Sequence, residues 1–141
     1  MKIKNIIIPI VVILIFSIVY FLVIPRIQYK NLAKKVLESF ETSLINLGIS
    51  AEKDILEAKE YGAFLAYSYI VDDKKVKVYI YNKNSNKFKQ GQQDGFIESS
   101  KDKNFKLYGI FRNNCVLYME EGFSNDDEVL NVFLELSENL N

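Results

Sequence analysis

The 141-residue chain contains no histidine. That removes the commonest general base, the commonest metal ligand and every His-dependent triad. A Cys-His protease or a sortase-like Cys-His site is therefore excluded. There is one cysteine, Cys115. No intramolecular disulfide can form, so the fold stands on its core, and structural zinc built on paired cysteines is excluded as well. Cys115 opens a strand after a turn with no base beside it, which reads as a small buried hydrophobe rather than a nucleophile. Only two prolines and six scattered glycines occur, and no glycine motif is present that would cradle a phosphate.

Charge-bearing motifs are equally sparse. Ser50-Ala51-Glu52-Lys53 and Ser100-Lys101-Asp102-Lys103 both match S-x-x-K. Two matches in a lysine-rich chain point to chance, and the penicillin-binding fold that uses the motif needs a far longer chain. Glu120-Glu121 and Asp126-Asp127-Glu128 lack the alternating ligands and glycine of an EF-hand loop, and read as a solvated acidic helix start. The expectation is a chain without catalytic residues, metal ligands or a cofactor site: not an enzyme.

What the chain does have is a long apolar run. Residues Ile6 to Ile24, IIIPIVVILIFSIVYFLVI, carry no charge over 19 positions. As a helix they rise about 28 Å, close to the hydrocarbon core of a bilayer. Lys2 and Lys4 bound the run on one side and Arg26 on the other. A cleavable signal peptide has a shorter apolar core and a small-residue cleavage site; here the core ends in Val23-Ile24-Pro25-Arg26. A chain of this size could hardly surround a helix apolar on all sides. The run reads as an uncleaved transmembrane anchor, with Pro9 tolerated near its start and Tyr20 and Tyr29 placed for an interface.

Orientation is finely balanced. Lys2 and Lys4 precede the run, while Arg26, Lys30, Lys34 and Lys35 follow it, so the positive-inside rule is close to silent. A five-residue tail ahead of a single span favours a cytoplasmic amino terminus and an extracytoplasmic carboxyl-terminal domain. Residues 26–141 hold 16 basic and 18 acidic side chains, a net of −2, which argues against a nucleic-acid partner. The charge is uneven. Ten basic and three acidic residues lie from Lys74 to Arg112, and seven acidic and no basic residues follow. Neutralisation across the folded domain is the plainer reading; a basic patch for anionic headgroups or an acidic wall polymer is the sharper one. Richness in Ile, Lys and Asn is that of an AT-rich bacterial genome.

The sequence divides into a tail (1–5), a transmembrane anchor (6–25), a stalk and first helix (26–48) and a small α+β domain (49–141). Pro25 is expected to break the anchor from a helix over Ile27–Leu47, whose stripe is Ala33, Leu37, Phe40, Leu44 and Leu47 with Val36 beside it. Gly48 is a plausible C-cap. Residues 50–61 are ambiguous between a helix capped by Ser50 and a strand. Ala63–Val71 suits a central strand, and Val76–Tyr81 alternates, giving one buried and one less buried face. The polar stretch Asn82–Asn104 is long for a loop, with a short helix expected at Asp94–Ser99. Phe105–Phe111 and Cys115–Met119 form a hairpin over Asn113-Asn114. A closing helix starts at Ser124 and buries Val129, Phe133, Leu136 and Leu140. The expected fold is α+β: an N-terminal transmembrane helix, then an antiparallel sheet of about four strands with two helices packed on one face. At the level of architecture, this order resembles the single-span scaffold proteins of secretion and pilus machines, a likeness that no motif carries.

Two functions follow. The first is a non-enzymatic module, held at the cell membrane by residues 6–24, that docks a protein partner or a second copy within a membrane assembly. The second is a tethered domain that binds a small molecule, lipid or cell-wall polymer through a strand face of Tyr67, Tyr69, Lys77, Tyr79 and Tyr81. Whether those tyrosines meet depends on register. A three-residue turn would set Tyr67 opposite Tyr79, while a two- or four-residue turn would pair Tyr67 and Tyr69 with the Val78 and Ile80 side.

Overall fold

The structure is a computed structural model. It describes residues 4–49, 52–55, 58–71, 73–121 and 126–140, with side chains of 4–6, 52–55 and 126 excepted. The expected cap at Ser124 and the S-x-x-K match beginning at Ser50 lie outside the described residues. The chain divides into two compact units, residues 1–32 and 33–141.

The first unit is helical. Helix α1 spans Lys4–Ile18, a π turn covers Val19–Val23, and helix α2 runs over Ile24–Asn46. Every large apolar side chain from Ile7 to Ile24 is exposed. A helix this long and apolar can cross a membrane by length and composition, and none of its most apolar window is buried inside the protein. Pro25 does not end the helix, contrary to expectation. Immediately before it the Ile24 N–H donates to the Val19 carbonyl, five residues back. A proline removes one donor and crowds the carbonyl four residues earlier; a single wide turn shifts those carbonyls and lets the helix continue.

In the second unit, α2 buries Ala33, Val36, Leu37, Phe40 and Leu44, the expected stripe. Leu47 is the exception at 51% exposed. It lies past the last helical residue, where the chain reverses. Gly48 takes φ 77°, its N–H donates to the Ile45 carbonyl at 2.9 Å, and the Ile49 N–H donates to the Leu44 carbonyl at 3.0 Å. This is a Schellman ending, and buried Ile49 supplies its apolar closure.

The sheet contains the expected two hairpins and one more strand. Strands β1 (Glu52–Ile55), β2 (Leu65–Val71), β3 (Lys74–Ile80), β6 (Ile110–Arg112) and β7 (Cys115–Met119) lie in the order β1-β2-β3-β7-β6, each pair antiparallel. Residues 50–61 thus hold a strand and, at Ala58–Tyr61, a 3₁₀ turn. Val71 pairs with Lys74, so the turn between β2 and β3 has two residues. Asn113 and Asn114 have φ 46° and 63°, the backbone that a two-residue primed turn requires.

Helices cover the sheet on both faces, not one. Helices α2 and α4 (Asp126–Ser137) pack on the first face, where Val36, Leu37, Phe40, Val78, Cys115 and Phe133 surround a void of about 10 Å³. Val129, Phe133 and Leu140 are buried as expected, with Leu136 half-buried. The second face is covered by the polar stretch. Helix α3 spans Asn86–Asp94, earlier than the helix expected at 94–99; Ser85 Oγ accepts the Phe88 N–H at 3.2 Å, and Gly95 at φ 79° ends it. A separate hairpin follows, β4 (Phe96–Glu98) and β5 (Lys106–Tyr108). Phe88, Ile97 and Leu107 from this layer meet Ala66, Tyr79, Tyr81 and Val116 of the sheet in one core cluster.

Candidate docking surface

The five residues singled out from the sequence do not form one surface. Tyr67 pairs with Val78 and Tyr69 with Val76, the two-residue-turn register. Tyr67 and Tyr69 therefore point to the first face, where the Tyr69 ring lies 5.4 Å from Phe40 and its hydroxyl donates to the Leu37 carbonyl at 3.4 Å. Lys77, Tyr79 and Tyr81 point to the other. The Tyr79 ring meets Tyr61 edge-on at 5.6 Å, and the Tyr81 hydroxyl donates to the Tyr61 carbonyl at 3.2 Å. All four tyrosines are buried, and burial pushes the phenols of Tyr69, Tyr79 and Tyr81 up. They are core side chains, and the hydroxyls of Tyr69 and Tyr81 tie helix and turn to the sheet. Lys77 alone is half-exposed, its Nζ 5.4 Å from the centre of the Tyr118 ring.

Cys115 is 1% exposed, and burial raises its thiol pKa. The thiolate is the reactive form. Cys115 should resist a thiol-specific reagent in the folded protein and react promptly in denaturant; fast labelling under native conditions would show that the packing around it is open. Ser100 and Lys103 are both exposed in the β4–β5 loop. Among the described residues no cluster of His, Cys, Asp or Glu is arranged to hold a metal ion.

A concave surface lies instead at a break in the sheet. Residues Phe105–Phe111 were expected as one strand, but the chain changes sheets at Gly109. Upstream, Tyr108 pairs with Phe96 in the small hairpin; downstream, Ile110 pairs with Leu117. A Cβ on Gly109 would collide with the Leu117 carbonyl oxygen and lie 2.8 Å from Val116 Cγ1. Only glycine lets the backbone pass this close. The crossing leaves β6 three residues long, so among the described residues the last two of β7 have no ladder partner on the β6 side.

The direction of those groups follows from the ladder on the other side. The Glu120 N–H donates to the Lys75 carbonyl at 3.0 Å. Even-numbered residues of β7 thus turn their backbone groups toward β3, and Met119 turns its N–H and C=O outward. Beside them is a cleft of about 430 Å³ lined by Tyr108, Gly109, Ile110, Leu117, Tyr118, Met119 and Glu121. Its walls are aromatic and aliphatic, with one carboxylate at the rim. Sequence reasoning missed this site because Gly109 sits inside an apolar run that reads as a single strand.

No family model matches the chain, and no curated protein or solved structure is significantly similar to it.

Proposed function

We propose that this chain is a single-pass membrane protein whose small α+β domain, held outside the cytoplasm, is a non-enzymatic docking module within a membrane assembly. The long apolar helix supports the membrane address. The docking reading rests on one observation: the crossing at Gly109 leaves Met119, whose backbone groups turn away from β3, with no β6 partner among the described residues and beside an apolar cleft. The occupant that fits is an extended segment of a partner polypeptide, which would continue the line of β6. Main-chain hydrogen bonds would give it affinity, and Tyr108, Ile110 and Tyr118 would receive its side chains. The rim carboxylate of Glu121 favours a segment bearing lysine or arginine.

A photoreactive benzoylphenylalanine in place of Tyr108, in the full chain in native membranes, tests this. It should yield a defined adduct with a second polypeptide, and Met119→Pro should abolish that adduct while leaving the domain folded. Proline removes the outward donor, and the N–H lost is one the β3–β7 ladder does not use. Monomer alone under every condition would overturn the docking reading.

A further inference from the structure

The helix and hairpin that cover the second face of the sheet lie in a basic stretch of the chain, and α4 on the first face lies in an acidic one. Residues 83–112, which include α3 and the β4–β5 hairpin, hold seven basic and three acidic side chains, a net of +4. Residues 113–141, which include α4, hold seven acidic and no basic ones. The two stretches meet where Arg112 Nη2 lies 2.6 Å from Glu138 Oε1 and holds that carboxyl below its ordinary range. The other six basic residues of the first layer lie on or beside α3 and the hairpin, across the sheet from α4.

That basic layer ends in an outward-facing aromatic edge. The Phe96 and Tyr108 rings meet at 5.7 Å, tilted by 50°, on the outer face of the hairpin, and Lys106 Nζ sits 4.0 Å from the centre of the Phe96 ring. Phe105 is 63% exposed and Tyr108 57%. The exposure of Phe105 is built, not slack. The Ser99 N–H donates to the Phe105 carbonyl at 2.9 Å, and the Phe105 N–H to the Asp102 carbonyl at 3.0 Å. Asp102 Oδ1 accepts the Asn104 N–H at 2.9 Å. Ser99 is buried; its hydroxyl donates to Glu60 Oε1 at 2.9 Å and accepts the Lys101 N–H at 3.1 Å. Asp102 is thereby engaged in its own turn, while Lys103 and Lys106, two positions before and one after Phe105, are exposed, with exposed Glu98 across the hairpin from Lys106.

Exposed aromatics among lysines are the composition of an interfacial lipid contact: the ring enters the headgroup region and the ammonium groups meet anionic phosphates. We infer that the β4–β5 hairpin is a second membrane contact of this protein, one that seats Phe105 in the interface of an anionic leaflet. The same chain carries, at residues 6–24, an apolar helix long enough to cross a membrane, which is why a lipid surface is the occupant argued here. The inference rests on that membrane reading; it shares Tyr108 with the cleft beside Gly109 but turns on Phe105, Lys103 and Lys106, which do not line that cleft.

The absence of tryptophan from the chain makes the test direct. Phe105→Trp installs the only indole. The full-length variant is reconstituted in zwitterionic bilayers and in bilayers containing phosphatidylglycerol, each with brominated acyl chains as quencher. The expected result is a blue-shifted, bromine-quenched emission in the anionic bilayer alone, reversed by high salt. Lys103→Glu with Lys106→Glu should remove it; each basic residue near an anionic surface accounts for about a fivefold change in occupancy. Thermal unfolding of that double variant near the parent's midpoint shows that the fold is retained. Equal aqueous exposure of the indole in both bilayers overturns the inference, as does burial that appears only on adding a partner protein. Failure of the chain to remain integral to the bilayer is a separate result, and it would instead remove the anchor reading.

Discussion

Phe40→Ala should lower the unfolding free energy of the α+β domain by about 3–5 kcal/mol. Phe40 is 2% exposed. Its ring lies 5.4 Å from Tyr69 and lines the small void between α2, α4 and the sheet. It sits where three elements meet, so truncation loses contacts on several sides and enlarges a hole between two helices and a sheet. A domain of this size has about 5–15 kcal/mol of total stability, so the loss is a large share of it. Urea titration of the full chain in lipid nanodiscs should show a lower midpoint with an unchanged slope. Ile45→Ala is the matched control: it lies on the same helix but is 56% exposed, and a surface change of that kind falls within about 0.5 kcal/mol. A comparable loss at both positions would mean that the buried face of α2 has been misassigned.

The elements legible in the sequence are those whose signal is local and periodic. The stripe Ala33, Leu37, Phe40, Leu44 is a three-and-four spacing, and those residues are buried. Asn113-Asn114 carries its turn in its own backbone preference. The failures share a different cause: each depends on a neighbour that is distant in sequence. Helix α3 is bracketed by Ser85 and Gly95, both readable in principle, but its body is Lys and Gln and buries only Phe88 and Gly91. Gly91 is needed there because a Cβ would strike Ile97 and Phe111. With that helix unplaced, nothing covers the second face of the sheet, and Tyr79 and Tyr81 look like a half-open surface. Once it is placed, they are core. The Gly109 crossing is harder still, since the collision that demands glycine is with the Leu117 carbonyl of another strand.

The same dependence explains why the charge pattern was readable as a count but not as an arrangement. The sequence divides basic from acidic residues at Arg112, and that division is compatible with neutralisation across the domain. The register of β3 places α3 and the hairpin on one face and α4 on the other. That topology puts the basic stretch carrying α3 and the hairpin and the acidic stretch carrying α4 on opposite faces of the sheet.

Arginines at Ile13 and Phe16 should abolish membrane retention. Both positions lie in the middle of the apolar run, and both side chains are exposed, at 63% and 70%. An arginine at the centre of a spanning helix costs about 2.5–3.5 kcal/mol on the insertion scale, so two together outweigh the favourable contribution of several leucines or isoleucines. The full chain should pellet with membranes after an alkaline carbonate wash, whereas Ile13→Arg with Phe16→Arg should remain in the supernatant. The same substitutions would leave a soluble protein's fold untouched, because these side chains contact no core; the thermal midpoint of the released variant is therefore expected near that of the parent. The mass of the membrane-bound parent separates an anchor from a cleaved signal sequence, since an anchor retains residues 6–24. Retention of the double-arginine variant in washed membranes, or loss of those residues from the mature chain, would defeat the anchor reading. The docking and lipid-contact proposals would then have to stand on a protein free to diffuse.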